Sequence, residues 1–209
     1  MTISRSRVPA SVRRYWSVVL YPLGLLPAVW LLWQGQNGNL GADPVNVFER
    51  SLGLWAFRFL LICLALAPLQ RIVSFNLLRF RRLTGLLAFF YAVLHLAAYV
   101  ALDLQFDVRI FWRDLTHRPF IILGMTALAF LLPLALTSNR FSMKRLKRSW
   151  KRLHRLVYGA AVLAGIHFFL SFKTLNGTSA LYLSLLALVL LARVPMIWSG
   201  FRRKGARQP

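Results

Sequence analysis

The stretch WKRLHRLVYGAAVLAGIHFFLSF, residues 150–172, decides the fold of this chain. It opens with a basic collar and then runs apolar for about the 20 residues that a helix needs to cross a membrane. Two histidines lie in it, His154 at the edge and His167 deep inside. Because an ionisable side chain at membrane depth is costly, such a residue is a candidate for function.

The composition extends this membrane interpretation to the whole chain. Hydrophobic residues make up 58% of the 209, and only five side chains are acidic, which is typical of an integral membrane protein and not of a soluble domain. The net charge of +22 comes from basic clusters between apolar runs, as in the loops of a polytopic protein, so we expect membrane lipid and no nucleic acid as a partner. The single cysteine, Cys63, excludes a disulfide framework or a cysteine-ligated cluster within one chain.

Six apolar stretches are long enough to cross a membrane as helices. They are residues 16–33, 51–69, 83–102, 118–136, 153–172 and 178–198. No signal-peptide cleavage pattern follows the first stretch, so we expect it to remain as a span. The sequence therefore predicts an all-α membrane protein, a six-helix transmembrane domain over residues 16–198 with basic ends at 1–15 and 199–209.

Charge predicts the orientation of this bundle. Four clusters carry 21 of the 27 lysines and arginines, at residues 5–14, 71–82, 140–155 and 193–207. They fall in alternate loops and at the ends, and the positive-inside rule therefore predicts that both termini are cytoplasmic. All five acidic residues fall in the outer loops, and the loop from Asp103 to Asp114 is a candidate landing surface for a partner protein.

Two histidines lie at matching depth. The third span, within RRLTGLLAFFYAVLHLAAYVALD (81–103), places His95 12 residues beyond Leu83. The fifth span places His167 14 residues beyond Leu153. Both spans run from the inside to the outside, so the imidazoles lie about 18 and 21 Å from the cytoplasmic ends. Two imidazoles at one level can bind a heme iron from both sides, and this is the function that the spacing favours.

An alternative stays open for each of these histidines. A buried polar side chain can simply hydrogen-bond a neighbouring helix. Small residues such as Ala88 and Ala160, which share the helix faces of the histidines, would leave room for a flat macrocycle but also suit plain helix packing.

His154 is harder to interpret. It precedes His167 by 13 residues, about 20 Å along a helix, which suits a second heme near the cytoplasmic face. The matching position of the third span offers Arg81 or Arg82 and no histidine. His154 is therefore either a cofactor contact on the cytoplasmic side or a solvated residue of the basic collar.

Three further features carry charge. Arg58 lies inside the second span at a depth similar to that of His95, and we expect it to pair with a heme propionate, or else to extend to the outer headgroups. His117 is expected to be a surface residue or a docking contact. The basic cluster at residues 140–155 could hold a flavin phosphate or an anionic donor protein, or could serve topology and lipid contact.

Four stretches carry a resemblance to a known family. They are LGLWAFRFLLICLALAPL (52–69), RRLTGLLAFFYAVLHLAAYVALD (81–103), RPFIILGMTALAFLLPLALTSN (118–139) and WKRLHRLVYGAAVLAGIHFF (150–169). The chain resembles the ferric-reductase-like transmembrane domain superfamily and, within it, the MsrQ (YedZ) family of heme-binding membrane subunits. That family serves a periplasmic protein-methionine-sulfoxide reductase system.

The resemblance implies a role for the chain and for its histidines. It implies that His95 and His167 ligate a heme b, that His154 is the second histidine of the fifth span, and that FMN binds. It also implies a bacterial inner-membrane location. Electrons would arrive from quinol or a flavin reductase and leave to a periplasmic molybdopterin-dependent methionine-sulfoxide reductase. The superfamily has four histidines on these two helices, whereas this chain has three, which leaves the number of hemes open.

Two rival functions remain at this stage. A stand-alone transmembrane ferric reductase would keep the heme without a partner protein. A small transporter or scaffold would have no redox role, but the chain lacks the paired acids at the midplane that coupled transport favours.

Overall fold

The computed structural model describes residues 10–73, 76–172 and 176–205, with side chains described from residue 19 to residue 194. All regular structure in this part of the chain is helical. The α-helices are α1 (Ala10–Gln36), α2 (Pro44–Leu69), α3 (Arg81–Ala98), α4 (Val108–His117), α5 (Pro119–Leu136), α6 (Arg140–Leu153), α7 (Leu156–Ser171) and α8 (Gly177–Gly205).

The all-α membrane class is confirmed, and the number of spans is only partly so. Four described segments are long and apolar enough to cross a membrane: Pro44–Leu69, Leu77–Asp103, Pro119–Leu136 and Gly177–Val194. A fifth is added if α6 and α7, which are bent by 48° at their junction, count as one span. The predicted first span, 16–33, falls in α1. The six-span count and the cytoplasmic termini stay predictions, and residues 1–9 and 206–209 lie outside the described part.

Local sequence explains where the helices begin. Asp43 caps α2 by accepting a hydrogen bond from the Asn46 amide, and Pro44 opens the first turn, where its missing N–H costs nothing. Asp107 caps α4 in the same way, and its carboxylate accepts from the Arg109 amide at 2.7 Å. Pro119 opens α5. These caps fix the starts of the helices on one side of the bundle.

Two antiparallel helix pairs form the body of the bundle. α2 packs most extensively on α3, and α5 on α7, while α8 packs against α2 and α7. Fully buried Ala160 and Ala161 of α7 belong to the same core cluster as Phe57 and Leu64 of α2. In each pair, the N-terminal part of one helix lies beside the C-terminal part of the other.

Tyr91 joins α1 to this body. Its side chain is completely buried, and its hydroxyl donates to the Gly24 carbonyl at 2.9 Å and accepts from the Ala28 amide at 3.1 Å. In an uninterrupted α-helix that amide and carbonyl would bond each other. The hydroxyl therefore hydrogen-bonds both members of one pair in the ladder of α1, next to Pro27, a residue that itself disturbs a helix.

Two segments that the sequence predicted as loops form amphipathic helices in the structure. α6 takes up most of the basic cluster at residues 140–155, and α4 carries exposed Val108 and Trp112. Asp114 of α4 is only 4% exposed, accepts a hydrogen bond from the Tyr99 hydroxyl at 2.8 Å and pairs with Arg118 at 3.3 Å. This removes Asp114 from the predicted acidic landing surface.

Candidate functional site

His95 of α3 and His167 of α7 lie opposite each other in the bundle, with one ring edge-on to the other. Their ring centroids are 6.2 Å apart, and the ring planes are inclined by 68°. His95 lies beside the second turn of α2 and His167 beside the first turn of α5, because His95 contacts Glu49 and His167 contacts Phe120. The structure therefore brings together the two histidines that the sequence placed at one depth.

Each ring is held by a backbone carbonyl through Nδ1. His95 Nδ1 lies 2.9 Å from the Glu49 oxygen, and His167 Nδ1 lies 2.7 Å from the Phe120 oxygen. A carbonyl oxygen can only accept, so each Nδ1 must carry the proton and donate it. Nε2 of a neutral imidazole is then unprotonated, and neither Nε2 has a hydrogen-bond partner among the described residues.

The hydrogen bonds of the two histidines are compatible with both predicted roles, a buried polar residue and a metal ligand. Each side chain hydrogen-bonds a neighbouring helix, as a plain buried polar residue would. That same bond selects the tautomer whose Nε2 lone pair can bind a metal, which is the usual arrangement of a ligating histidine. The bond to the neighbouring helix therefore prepares the ring as a ligand and does not compete with that role.

The separation of the rings fits one metal ion between them. Two metal–imidazole bonds of about 2 Å account for roughly 4 Å of the 6.2 Å between centroids, and the ring half-widths fill the rest. Within residues 10–73, 76–172 and 176–205 no group of three or more His, Cys, Asp or Glu could hold a metal. Two imidazoles alone are a poor site for a bare ion, whereas a porphyrin brings its own four nitrogens.

His154 lies in a second region, where α6 meets α7. Its ring stacks on Trp150 with centroids 3.9 Å apart, and its Nε2 lies 3.2 Å from the Thr137 hydroxyl. The helical rise puts it about 20 Å from His167 along the axis. The two predicted roles of His154, cofactor contact and collar residue, therefore concern the far end of the bundle.

A cavity of about 240 Å³ opens beside His154. Its lining includes three arginines, Arg81, Arg82 and Arg140, together with Trp150 and His154. The remaining lining residues are apolar or uncharged. A cavity with positive charge and an aromatic wall, and without a carboxylate in its lining, suits an anionic or planar ligand.

Arg58 lies in the interface between α2 and α8. Its Nε donates to the Tyr182 hydroxyl at 2.6 Å, and its guanidinium lies 4.6 Å from the centre of the Trp55 ring. Among the described residues its two terminal nitrogens have no hydrogen-bond partner. The pairing of Arg58 with a propionate stays a prediction. His117 is exposed, as expected, and its Nδ1 lies 2.8 Å from the Arg113 carbonyl.

Sequence reasoning missed Arg193, which it assigned to a cytoplasmic cluster. The side chain is 3% exposed and lies between α8, α2 and α7, where Nε donates to the Leu64 carbonyl and Nη1 to the Tyr158 hydroxyl. Its Nη2 is the one buried side-chain nitrogen or oxygen of the described residues without a hydrogen bond. Its position inside the apolar run LLARVPMIW was the available signal.

Comparison with known proteins identifies a family of membrane proteins that the chain matches. The family model described as ferric reductase like transmembrane component matches residues 52–165, from α2 into α7. The match covers His95 and His154 and ends two residues before His167. With the apolar helices it indicates a multi-pass membrane protein.

Two similar relatives come from Brucella species. The protein-methionine-sulfoxide reductase heme-binding subunit MsrQ of Brucella anthropi is 44% identical over 180 residues, which is 86% of this chain and 82% of the relative. The subunit of the same name from Brucella ovis is 43% identical over 189 residues, 90% of this chain and 86% of the relative. At this identity and coverage, the chain belongs to the MsrQ family, within the wider family of ferric reductase like transmembrane components.

Proposed function

We propose that this chain is a membrane electron-transfer subunit that binds a b-type heme between His95 and His167. The observation that carries the proposal is the pair of rings 6.2 Å apart, each with Nδ1 committed to a backbone carbonyl. The names of the relatives support it, because they describe heme-binding subunits of a protein-methionine-sulfoxide reductase.

The two histidines would hold the iron through Nε2. When bound, the heme supplies one-electron oxidation and reduction at its iron. The carbonyls of Glu49 and Phe120 orient the rings and, by accepting the Nδ1 protons, make the Nε2 nitrogens more basic. The surrounding apolar helices keep water from the rings.

The level of the histidines supports delivery on the outer side. His95 and His167 lie beside the N-terminal turns of α2 and α5, within the first two turns of each helix, and the predicted orientation puts those turns near the periplasmic face. The proposed acceptor is the molybdopterin-dependent catalytic subunit of a periplasmic methionine-sulfoxide reductase that repairs oxidised proteins. The sulfoxide chemistry would belong to that partner.

The cavity beside His154 is the proposed donor side. Its arginines, Trp150 and His154 lie at the opposite end of the bundle from the histidine pair. The proposed occupants are quinol, an FMN, or a second heme that takes His154 as one ligand, with quinol or a flavin reductase of the bacterial inner membrane as the source of electrons. For Arg58 we propose that the terminal guanidinium nitrogens pair with a propionate of the outer heme.

A stand-alone ferric reductase is the second candidate, and the description of the matching family model favours it. It uses the same heme but transfers electrons to ferric iron. This candidate would be supported if the purified protein, without a partner, reduces ferric chelates as fast as its own heme is reduced by the donor. Electron delivery that requires the methionine-sulfoxide reductase subunit would support the first.

Heme quantification tests the shared part of both proposals. We expect the purified protein to show a Soret band that sharpens on reduction, and His95→Ala and His167→Ala to lose the bound heme at the outer site. His117→Ala is the matched control, because that exposed histidine contacts only its own helix. A wild-type protein that carries no heme after expression with ample heme supply contradicts the proposal.

A further inference from the structure

We infer that Gly53 of α2 and Gly124 of α5 are positioning residues for the two heme-facing histidines. A Cβ built on Gly53 would lie 3.2 Å from both Cε1 and Nδ1 of His95. A Cβ built on Gly124 would lie 2.9 Å from the same two atoms of His167. This inference rests on the proposed function, since it assigns the glycines to the orientation of heme ligands.

Each glycine follows the carbonyl acceptor by four residues. Gly53 lies four residues after Glu49, and Gly124 four residues after Phe120, and those two carbonyls accept the Nδ1 protons. In an α-helix the Cβ leans toward the N-terminus, so the side chain at position i+4 lies over the turn that contains residue i. A glycine at that position leaves the carbonyl open to a donor from another helix.

The glycine therefore acts in two ways at once. It provides the space in which the imidazole ring lies against the helix, and it uncovers the second lone pair of a carbonyl that already accepts the intrahelical hydrogen bond. In this position the Nδ1–H of the ring donates to the carbonyl of the neighbouring helix, and Nε2 points away from that helix. The glycine then accounts for both the tautomer and the orientation of the imidazole ligand.

The same arrangement occurs in two separate helix pairs. In the α2–α3 pair the local sequence is ERSLG (49–53), and in the α5–α7 pair it is FIILG (120–124). The two segments share only their final Leu-Gly and the spacing. A recurrence with otherwise different side chains indicates that the glycine and its distance from the carbonyl matter to the histidine.

Three other glycines within the helices lie against apolar side chains instead. Added Cβ atoms at Gly85, Gly159 and Gly165 would meet Cys63, Phe130 and Leu186. Close packing of helices explains those three glycines without any further role. Only Gly53 and Gly124, among the described residues, would bring a Cβ against a histidine.

The two distances predict unequal effects. At 2.9 Å the ring of His167 must move to admit a methyl group, whereas at 3.2 Å the ring of His95 must give by a few tenths of an ångström. Either displacement lengthens the Nδ1–H···O bond. A weaker bond makes the ligand less basic and stabilises the ferric state less, so the midpoint potential rises.

The test compares Gly53→Ala and Gly124→Ala in the full-length purified protein. Heme stoichiometry, the midpoint potential from a spectroelectrochemical titration, and the ferric low-spin electron paramagnetic resonance spectrum are measured for each. We expect Gly124→Ala to lower heme affinity by about tenfold or more, as loss of an outer-shell contact does at metal sites. We expect Gly53→Ala to keep more heme, with a positive shift in potential and a changed resonance spectrum.

Gly159→Ala is the matched control. A Cβ at Gly159 would lie 3.0 Å from Phe130 in the same α5–α7 interface. This variant should keep the wild-type potential and spectrum. If Gly159→Ala shifts them as much as Gly124→Ala does, helix packing explains the effect and the inference is wrong.

The remaining outcomes are also decisive. If Gly124→Ala does not accumulate in the membrane, the milder Gly53→Ala decides the result. A heme-loaded wild type whose two glycine variants match it in stoichiometry, potential and spectrum overturns the positioning role alone. A wild type without heme overturns the proposed function, whatever the glycine variants do.

Discussion

The rings of His95 and His167 lie 6.2 Å apart although their helices pack mainly on other partners. α3 packs chiefly on α2, and α7 chiefly on α5. A ligand held by both rings would therefore join the two helix pairs of the bundle. This makes the histidine pair a structural junction as well as the proposed redox centre.

Removal of heme is expected to destabilise the protein. A ligand that binds only the folded state stabilises it by about 4 kcal/mol when its concentration is 1,000 times Kd. Protein expressed under heme limitation should therefore unfold at a lower temperature than heme-loaded protein, as measured by differential scanning fluorimetry in detergent. Equal unfolding temperatures, at different measured heme contents, would contradict the bridging role of the histidine pair.

Arg58→Leu should change the heme site if the guanidinium pairs with a propionate. Loss of a positive charge near the heme favours the ferric state, so the midpoint potential should fall. Tyr182→Phe is the control, because it removes the 2.6 Å bond to Arg58 but keeps the charge. An unchanged heme content and potential in Arg58→Leu would assign the arginine to Tyr182 and Trp55 alone.

His154→Ala should impair electron entry and leave the outer heme bound. The side chain lies about 20 Å along the helix from His167 and lines the basic cavity at the other end. We expect the reduction of the outer heme by a quinol analogue or a flavin reductase to become at least tenfold slower, in stopped-flow absorbance. Loss of half of the heme would instead identify His154 as the ligand of a second heme. Wild-type rates with wild-type heme content would make it a collar residue.

Tyr91→Phe should destabilise the attachment of α1. The substitution removes the hydroxyl that bonds the Ala28 amide and the Gly24 carbonyl, and an unsatisfied buried group costs about 1–3 kcal/mol. The expected result is a lower unfolding temperature with an unchanged Soret spectrum. Tyr21→Phe is the control, because that hydroxyl has no partner among the described residues. Equal stability of Tyr91→Phe and the wild type would show that α1 closes its own hydrogen bond.

The helices could be predicted from the sequence because each apolar run is longer than a buried soluble helix would need. The stretches 83–102 and 118–136 agree with α3 and α5 within four residues at each end, whereas α2 begins at Pro44, seven residues before the predicted stretch 51–69, and ends with it at Leu69. Matching depth also placed His95 and His167 together, since depth in a membrane helix follows from counting residues. These successes depend on the strict length that a bilayer imposes.

Other features depended on contacts between distant segments and could not be predicted in this way. α4 and α6 are amphipathic and polar, so they resemble loops when only apolar length is scored. Asp114 is buried because Tyr99, in the π-helical turn after α3, reaches it from another segment. The glycines beside the histidines lie on partner helices, whereas helical spacing relates only residues of the same helix.

The Nδ1 acceptors of both histidines belong to the main chain, which has a consequence for mutation and evolution. No side-chain replacement at Glu49 or Phe120 deletes a peptide carbonyl, so the protonation pattern of both imidazoles tolerates point mutation there. Sequence drift at those two positions can be wide without any cost to the tautomer. Substitutions one helical turn later, at Gly53 and Gly124, are the ones expected to disturb the imidazoles.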